Sequence, residues 1–144
     1  MSANPLFDAS YTRLFDDQVS LSDQSDPFFV AFYGNFLAQP EVGEFFRETD
    51  MARQTSMLRR SFFQLAGFYV SCEPSAELER IAAIHHALGL NPGHYDVWLD
   101  ALIKTVRDLD PQCDLATELA WRWALTPGIT YMKLFGRFSD LQRA

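Results

Sequence analysis

Proline placement constrains this chain more than any other feature of its sequence. Asp26-Pro27, Gln39-Pro40, Glu73-Pro74, Asn91-Pro92 and Asp110-Pro111 put the ring where a helix begins or must stop. Proline lacks the N–H that a helix interior needs, while its fixed φ suits a first turn. Between these breaks apolar residues recur at three- and four-residue spacing, and no stretch alternates like a strand. Phe7, Tyr11, Leu14, Phe15 and Val19 predict a first helix over 7–21, closed by the polar break Ser22 to Ser25. Asp26 caps a second helix bearing Phe28, Phe29, Phe32, Tyr33, Phe36 and Leu37. Val42, Phe45 and Phe46 fit a short helical turn. A long helix from Asp50 to Val70 sets Met51, Leu58, Phe62, Leu65 and Tyr69 on one face, and the break at Glu73-Pro74-Ser75 opens the next. Pro92 to Leu109 turns Tyr95, Leu99, Leu102, Ile103 and Val106 inward. Asp110-Pro111 predicts another cap-and-proline start, and Ala116, Leu119, Ala120 and Trp123 mark the last major helix. Pro127-Gly128 predicts an interruption, leaving Ile129 to Phe138 as a separate short helix. The chain is thus expected to be all-α, with six to eight helices of unequal length.

At 144 residues the chain makes one domain, 1–144, large enough for a core without disulfides. Thirteen Phe and 48% hydrophobic residues suggest that something large and apolar needs lining. A net charge of −7 with no basic run argues against nucleic acid and against an anionic membrane surface. Cys72 and Cys113 have neither metal-ligand spacing nor a disulfide pattern and read as reduced thiols. The N-terminus has no leader-like pattern and no apolar run approaches the ~18 residues of a membrane span, so a cytoplasmic location is expected.

The stretch from His85 to Tyr95 carries the chemistry. Gly89 ends one helix, and Asn91 and Pro92 cap and open the next. At about 100° per residue His85 shares a face with Leu78, Ile81 and Leu88, whereas His86 points with Glu79 and Ala83 to a polar side. An inward imidazole has two readings. It is a core residue bonded to backbone, or the single protein ligand to a metal held otherwise, of which haem iron is the usual case. Tyr33, on the face of Phe29 and Phe36, brings a hydroxyl into an apolar region where it needs a partner. Gln54, one turn before Leu58, can point its amide into the same space.

His85-x-x-Leu88-Gly89-Leu90-x-Pro92-x-x-Tyr95 resembles the proximal segment of bacterial haem globins, including single-domain globins, the haemoglobin domain of flavohaemoglobins and the globin-coupled sensors. Phe32-Tyr33, Pro40-Glu41-Val42, Phe45-Phe46 and Asp50-Met51-Ala52-Arg53-Gln54 extend the likeness, which covers roughly residues 26 to 106. The resemblance implies a globin fold, three-over-three in view of the long first helix, and haem b (iron protoporphyrin IX) ligated by His85. It also implies Tyr33 as the distal tyrosine, Gln54 and Leu58 as distal residues, and Phe46 packed on the haem. Phe62, Leu88, Leu99 and Ile103 would complete the sleeve. A one-residue shift of the long helix would put Thr55 in place of Gln54. Tyr95 matches the flavohaemoglobin tyrosine that, with a late glutamate, bonds the proximal histidine, yet 129–138 contains no glutamate. His86 and His94 are expected at the surface.

A haem globin of this kind binds dioxygen reversibly, with carbon monoxide and nitric oxide as competing ligands, and serves storage, sensing or nitric oxide detoxification. Phenol and amide donors would slow dioxygen loss by about 1 kcal/mol or more each. Nitric oxide dioxygenase activity would need an external reductase, and sensing a signalling partner. The alternative is a cofactor-free module of the same fold that binds a protein or a fatty ligand. Drawing both His85 and Tyr33 inward without a cofactor disfavours it.

Overall fold

Side-chain caps set most of the helix starts in the computed structural model, which describes residues 4–15 and 27–143, with side chains through 135. Asp50 Oδ1 accepts from the N–H groups of Ala52 and Arg53, Ser75 Oγ from Leu78, and Asn91 Oδ1 from His94. Each satisfies donors that a helix start leaves orphaned. The helices are α1 (Pro5–Phe15), α2 (Pro27–Leu37), α3 (Pro40–Gly43), α4 (Met51–Ser71), α5 (Ala76–Ala87), α6 (Pro92–Leu109) and α7 (Leu115–Arg143), with a 3-10 turn at Glu44–Phe46. No strand occurs among the described residues. The continuation of the first helix through Val19, the break at Ser22 to Ser25 and the Asp26 cap lie outside them. Gly89, at φ +78°, closes α5 in the left-handed region that glycine enters without a steric cost.

Two expectations at the C-terminal end are corrected. Asp110 does not start the last helix. It ends α6, and its carboxylate is taken by Ser10, at 2.5 Å, and by Arg13 Nε and Nη2, each at 2.8 Å. Asp114 caps α7 instead, accepting from the Thr117 N–H at 2.8 Å. Nor does Pro127-Gly128 interrupt α7, which runs unbroken for 29 residues. Gly128 lies where α7 crosses α4, and a Cβ there would stand 2.6 Å from Leu65 Cδ2 and 3.2 Å from Leu65 Cα. The glycine serves close helix packing, and tertiary contact holds the helix through the proline.

Helix contacts sort into two layers. α4 packs on α5 in one, with α1 beside them; α2 packs on α6 and α6 on α7 in the other; and α1, α4 and α5 all lie on α7. This is the three-over-three arrangement. Phe28, Phe29, Phe62 and Trp121, each no more than 1% exposed, fill one end of the interface, with Tyr11 and Phe15 packed against Phe62. Trp121 Nε1 donates to Ser10 Oγ at 2.8 Å, so a buried polar chain of Trp121, Ser10, Asp110 and Arg13 ties α1 to the α6 end and α7. The other end of the interface is hollow.

Candidate functional site

Between α2, α4, α5, α6 and α7 lies a cavity of about 350 Å³, within the few hundred Å³ typical of small-molecule and cofactor sites. Phe36, Phe46, Leu58, Leu65, Leu78, Ile81, Trp98, Ile129 and Met132 give it an apolar wall. Among the described residues none of its lining side chains is charged. Phe45, Met57, Ile84 and Leu88, all at least 43% exposed, form a greasy rim.

His85 enters from α5. Its Nδ1 lies 2.8 Å from the Ile81 carbonyl oxygen one turn back. A carbonyl only accepts, so Nδ1 carries the proton and Nε2 keeps its lone pair. Burial lowers the imidazole pKa below its ordinary 6.5, with the Ile81 bond opposing in part, and the ring is held neutral. No partner for Nε2 occurs among the described residues. The result is an oriented, neutral nitrogen donor on the wall of an apolar chamber.

Tyr33 enters from α2, and its hydroxyl donates to the Gln54 backbone carbonyl at 3.3 Å. That is long beside the usual ~2.7–2.8 Å of O–H···O bonds, so the hydroxyl is loosely held and can turn to a better acceptor. Burial pushes its pKa up to about 12, against the opposing Gln54 side chain, and it remains a donor at neutral pH. Gln54 lines the cavity, whereas Thr55 spends its hydroxyl on the Met51 carbonyl at 2.7 Å and is not in the lining. Phe46 packs against Tyr33 and Phe36 with ring centroids 6.2 and 5.9 Å apart.

Of the residues expected from the sequence, His85, Tyr33, Gln54, Phe46, Leu58, Leu88 and Tyr95 come together around this cavity. Phe62, Leu99 and Ile103 do not line it. Phe62 is turned toward Trp121 and Tyr11, and Leu99 and Ile103 are in the core beside it. On α6 the lining comes from His94, Tyr95 and Trp98. Tyr95 lies beside the His85 ring, centroids 6.4 Å apart, but His85 Nδ1 is already taken by Ile81. The Tyr95 hydroxyl has no partner among the described residues, and burial raises its pKa to about 12. His94 is half-buried rather than exposed. Its Nδ1 accepts the Asn91 N–H at 3.0 Å, completing a capping box, and its ring meets Phe45 at the cavity edge. The signal for it was present in the sequence, since His94 stands three residues after Asn91, where a capping-box partner belongs.

The donor set discriminates among possible occupants. Among the described residues no three His, Cys, Asp or Glu side chains converge on a metal position, so the cavity lining holds a single inward nitrogen donor, not a cage for a bare ion. One imidazole facing an apolar chamber, with phenol and amide donors in the same chamber, fits a metal whose other ligands belong to a flat apolar macrocycle. These residues fit haem.

No family model and no curated protein matches the sequence. Among solved structures it is similar to a protein from Pseudomonas aeruginosa PAO1 described as structurally highly homologous to a human hemoglobin. The two share 33% identity over 93% of this chain and 98% of that one, with a TM-score of 0.78. With that identity over almost the full length of both chains, and the same two-layer stack of helices, the chain belongs to the globin family.

Proposed function

We propose that this globin holds haem b through His85 and binds dioxygen reversibly, with carbon monoxide and nitric oxide as competing ligands. The observation that carries the reading is the oriented, unpartnered Nε2 of His85 on the wall of an uncharged cavity that Tyr33 also enters. When bound, haem would supply an iron centre able to take up a diatomic gas. The chain's own residues do the rest. Ile81 fixes the His85 tautomer, the apolar wall excludes water, and Tyr33 and Gln54 offer donors that favour a ligand in proportion to the negative charge it accepts. Dioxygen gains more from them than carbon monoxide does.

His85 is supported by a backbone carbonyl, not a carboxylate. Carboxylate partners raise imidazole basicity and strengthen electron donation to a metal. Their absence from the described lining favours reversible binding, for storage or sensing, over oxidative turnover. Nitric oxide detoxification by the same pocket would draw its electrons from an external reductase.

Absorption spectra before and after reduction and carbon monoxide addition test the proposal. The expected result is a sharp Soret band that shifts with carbon monoxide and is lost in His85→Ala. In Tyr33→Phe, dioxygen release should quicken about fivefold or more, carbon monoxide release less. A folded protein that stays colourless when haem is offered would overturn the proposal and leave the cofactor-free module in its place.

A further inference from the structure

The charge of α4 runs against that of the rest of the chain. Its 21 residues include Arg53, Arg59 and Arg60 and no Asp or Glu, whereas the whole chain holds 19 acids and 12 bases. Arg53, Met57 and Arg60 recur at four- and three-residue spacing, so they share one stripe of the helix, and all three are exposed. Met57 also lines the mouth of the cavity. The two arginines therefore flank the opening, and neither makes an ion pair among the described residues. Other exposed cations have partners: Arg47 has Glu44, Arg80 has Glu77, Lys104 has Asp108 and Arg107 has Glu118. Beside the opening, Glu44 and Glu77 are thereby cancelled, and Asp50 is turned to the N–H groups of Ala52 and Arg53. Glu48, on the turn before α4, weakens the field of the two arginines without removing it.

We propose that this stripe of α4 docks an acidic protein carrying one electron, and seats it over the mouth of the cavity. The inference rests on haem being held by His85. Charge and position select the occupant. The chain carries −7, so an acidic protein is repelled by most of its surface and drawn to the place where Arg53 and Arg60 stand without counter-ions. A cationic carrier would be steered elsewhere. The place to which the acidic one is steered is the entrance to the cofactor cavity, where an electron has the shortest way in.

The composition and size of the stripe fit such an encounter. Arginine, methionine and aromatic side chains are the ones interfaces select, and Phe45 47%, Met57 43% and Phe63 45% exposed stand among or beside the arginines. Electron-transfer complexes bury less than about 1,200 Å² in total. The stretch from Arg53 to Phe63 presents about 15 Å of helix, with Phe45 and the rest of the rim alongside it, which suits a small contact and not a permanent one. The exchange balances by itself. The reduced carrier loses one electron, ferric iron gains it and becomes ferrous, and no bond or proton moves.

Anaerobic stopped-flow reduction of the haem-loaded full chain tests this, with reduced plant-type ferredoxin as the acidic carrier and photoreduced riboflavin as a small uncharged donor. Arg53→Gln combined with Arg60→Gln should slow the bimolecular rate with ferredoxin about tenfold or more at low salt and flatten its dependence on ionic strength. The riboflavin rate should stay the same. Lys104→Gln combined with Arg107→Gln makes an equal change in net charge on a face of α6 turned from the cavity, and should alter neither rate by more than about twofold. A ferredoxin rate unchanged by the α4 pair overturns the proposal. So does one slowed equally by both pairs, since net charge would then account for it. A riboflavin rate that falls with the ferredoxin rate also overturns it and assigns the arginines to the haem itself. A chain that takes up no haem shows no Soret band before any donor is added, which overturns the haem reading and this inference with it.

Discussion

Ile81 lends its carbonyl to His85, and Arg13 lends two N–H groups to Asp110; each buried side chain is set by these donors and acceptors rather than by its own ordinary chemistry. For Asp110 the consequence is a pH dependence. The Arg13 bonds hold its pKa at about 2, below the ordinary 3.8, with the Ser10 hydroxyl and the Gln112 N–H helping and burial opposing. A carboxylate depressed in the folded state adds stability in full above its unfolded pKa and loses it as pH falls toward the folded value. At 2% exposure the shift is worth about 2 kcal/mol. Urea unfolding should therefore find Asp110→Asn less stable by about that amount at pH 6, with the gap to wild type narrowed by about half at pH 3. An unchanged gap would mean that shape and not charge makes the contact. His85 and Tyr33 could be located from the sequence because each is a polar group on an apolar helical face. The role of Asp110 could not, since its partners Ser10 and Arg13 lie about a hundred positions away and a local reading finds only a cap before a proline.

Among the elements, α7 departs furthest from what its sequence suggests. Pro127-Gly128 has the local chemistry of a stop, yet the helix passes through it because α4 crosses there. Gly128→Ala should accordingly destabilise. Alanine's helix advantage of about 1 kcal/mol is opposed by a methyl 2.6 Å from Leu65 Cδ2 and 3.2 Å from Leu65 Cα. Leu65 Cδ2 can turn toward the cavity that it lines, but its Cα is fixed in α4 and leaves the methyl too close. Overpacking of this kind costs about 1–3 kcal/mol, so thermal unfolding should fall by a few degrees; a rise would show that the two helices separate freely. The inward face of α7 was equally hard to find. Ala116, Leu119, Ala120 and Trp123 gave the helical spacing, but of these Ala120 alone is buried, beside Trp121, Ala124 and Leu125. Both faces are apolar, and periodicity cannot rank them. The starts of α4, α5 and α6 were legible because Asp50, Ser75 and Asn91 act within three residues of themselves.

Across the whole molecule, packing is unequal between the two ends of the helix stack. Phe28, Phe29, Phe62 and Trp121 fill one end, and the buried Asp110 chain pins α1 across it. The other end encloses the cavity, and α5, which supplies His85, is bounded by it on one side. Only Leu78, Ile81 and Ala82 of α5 are buried, whereas α6 buries seven residues. Local opening costs least where apolar contact is sparse. In the protein without haem, amide hydrogens of α5 should exchange faster than those of α2 and α6. Their protection should rise when haem is supplied, because a ligand that binds only the closed form stabilises it by mass action. The central amides of α6 should change little, being protected in either state by the aromatic core. Protection of α5 equal to that of α6 in the cofactor-free protein would show that the cavity wall holds without an occupant, and that the hollow end is as cooperative as the filled one.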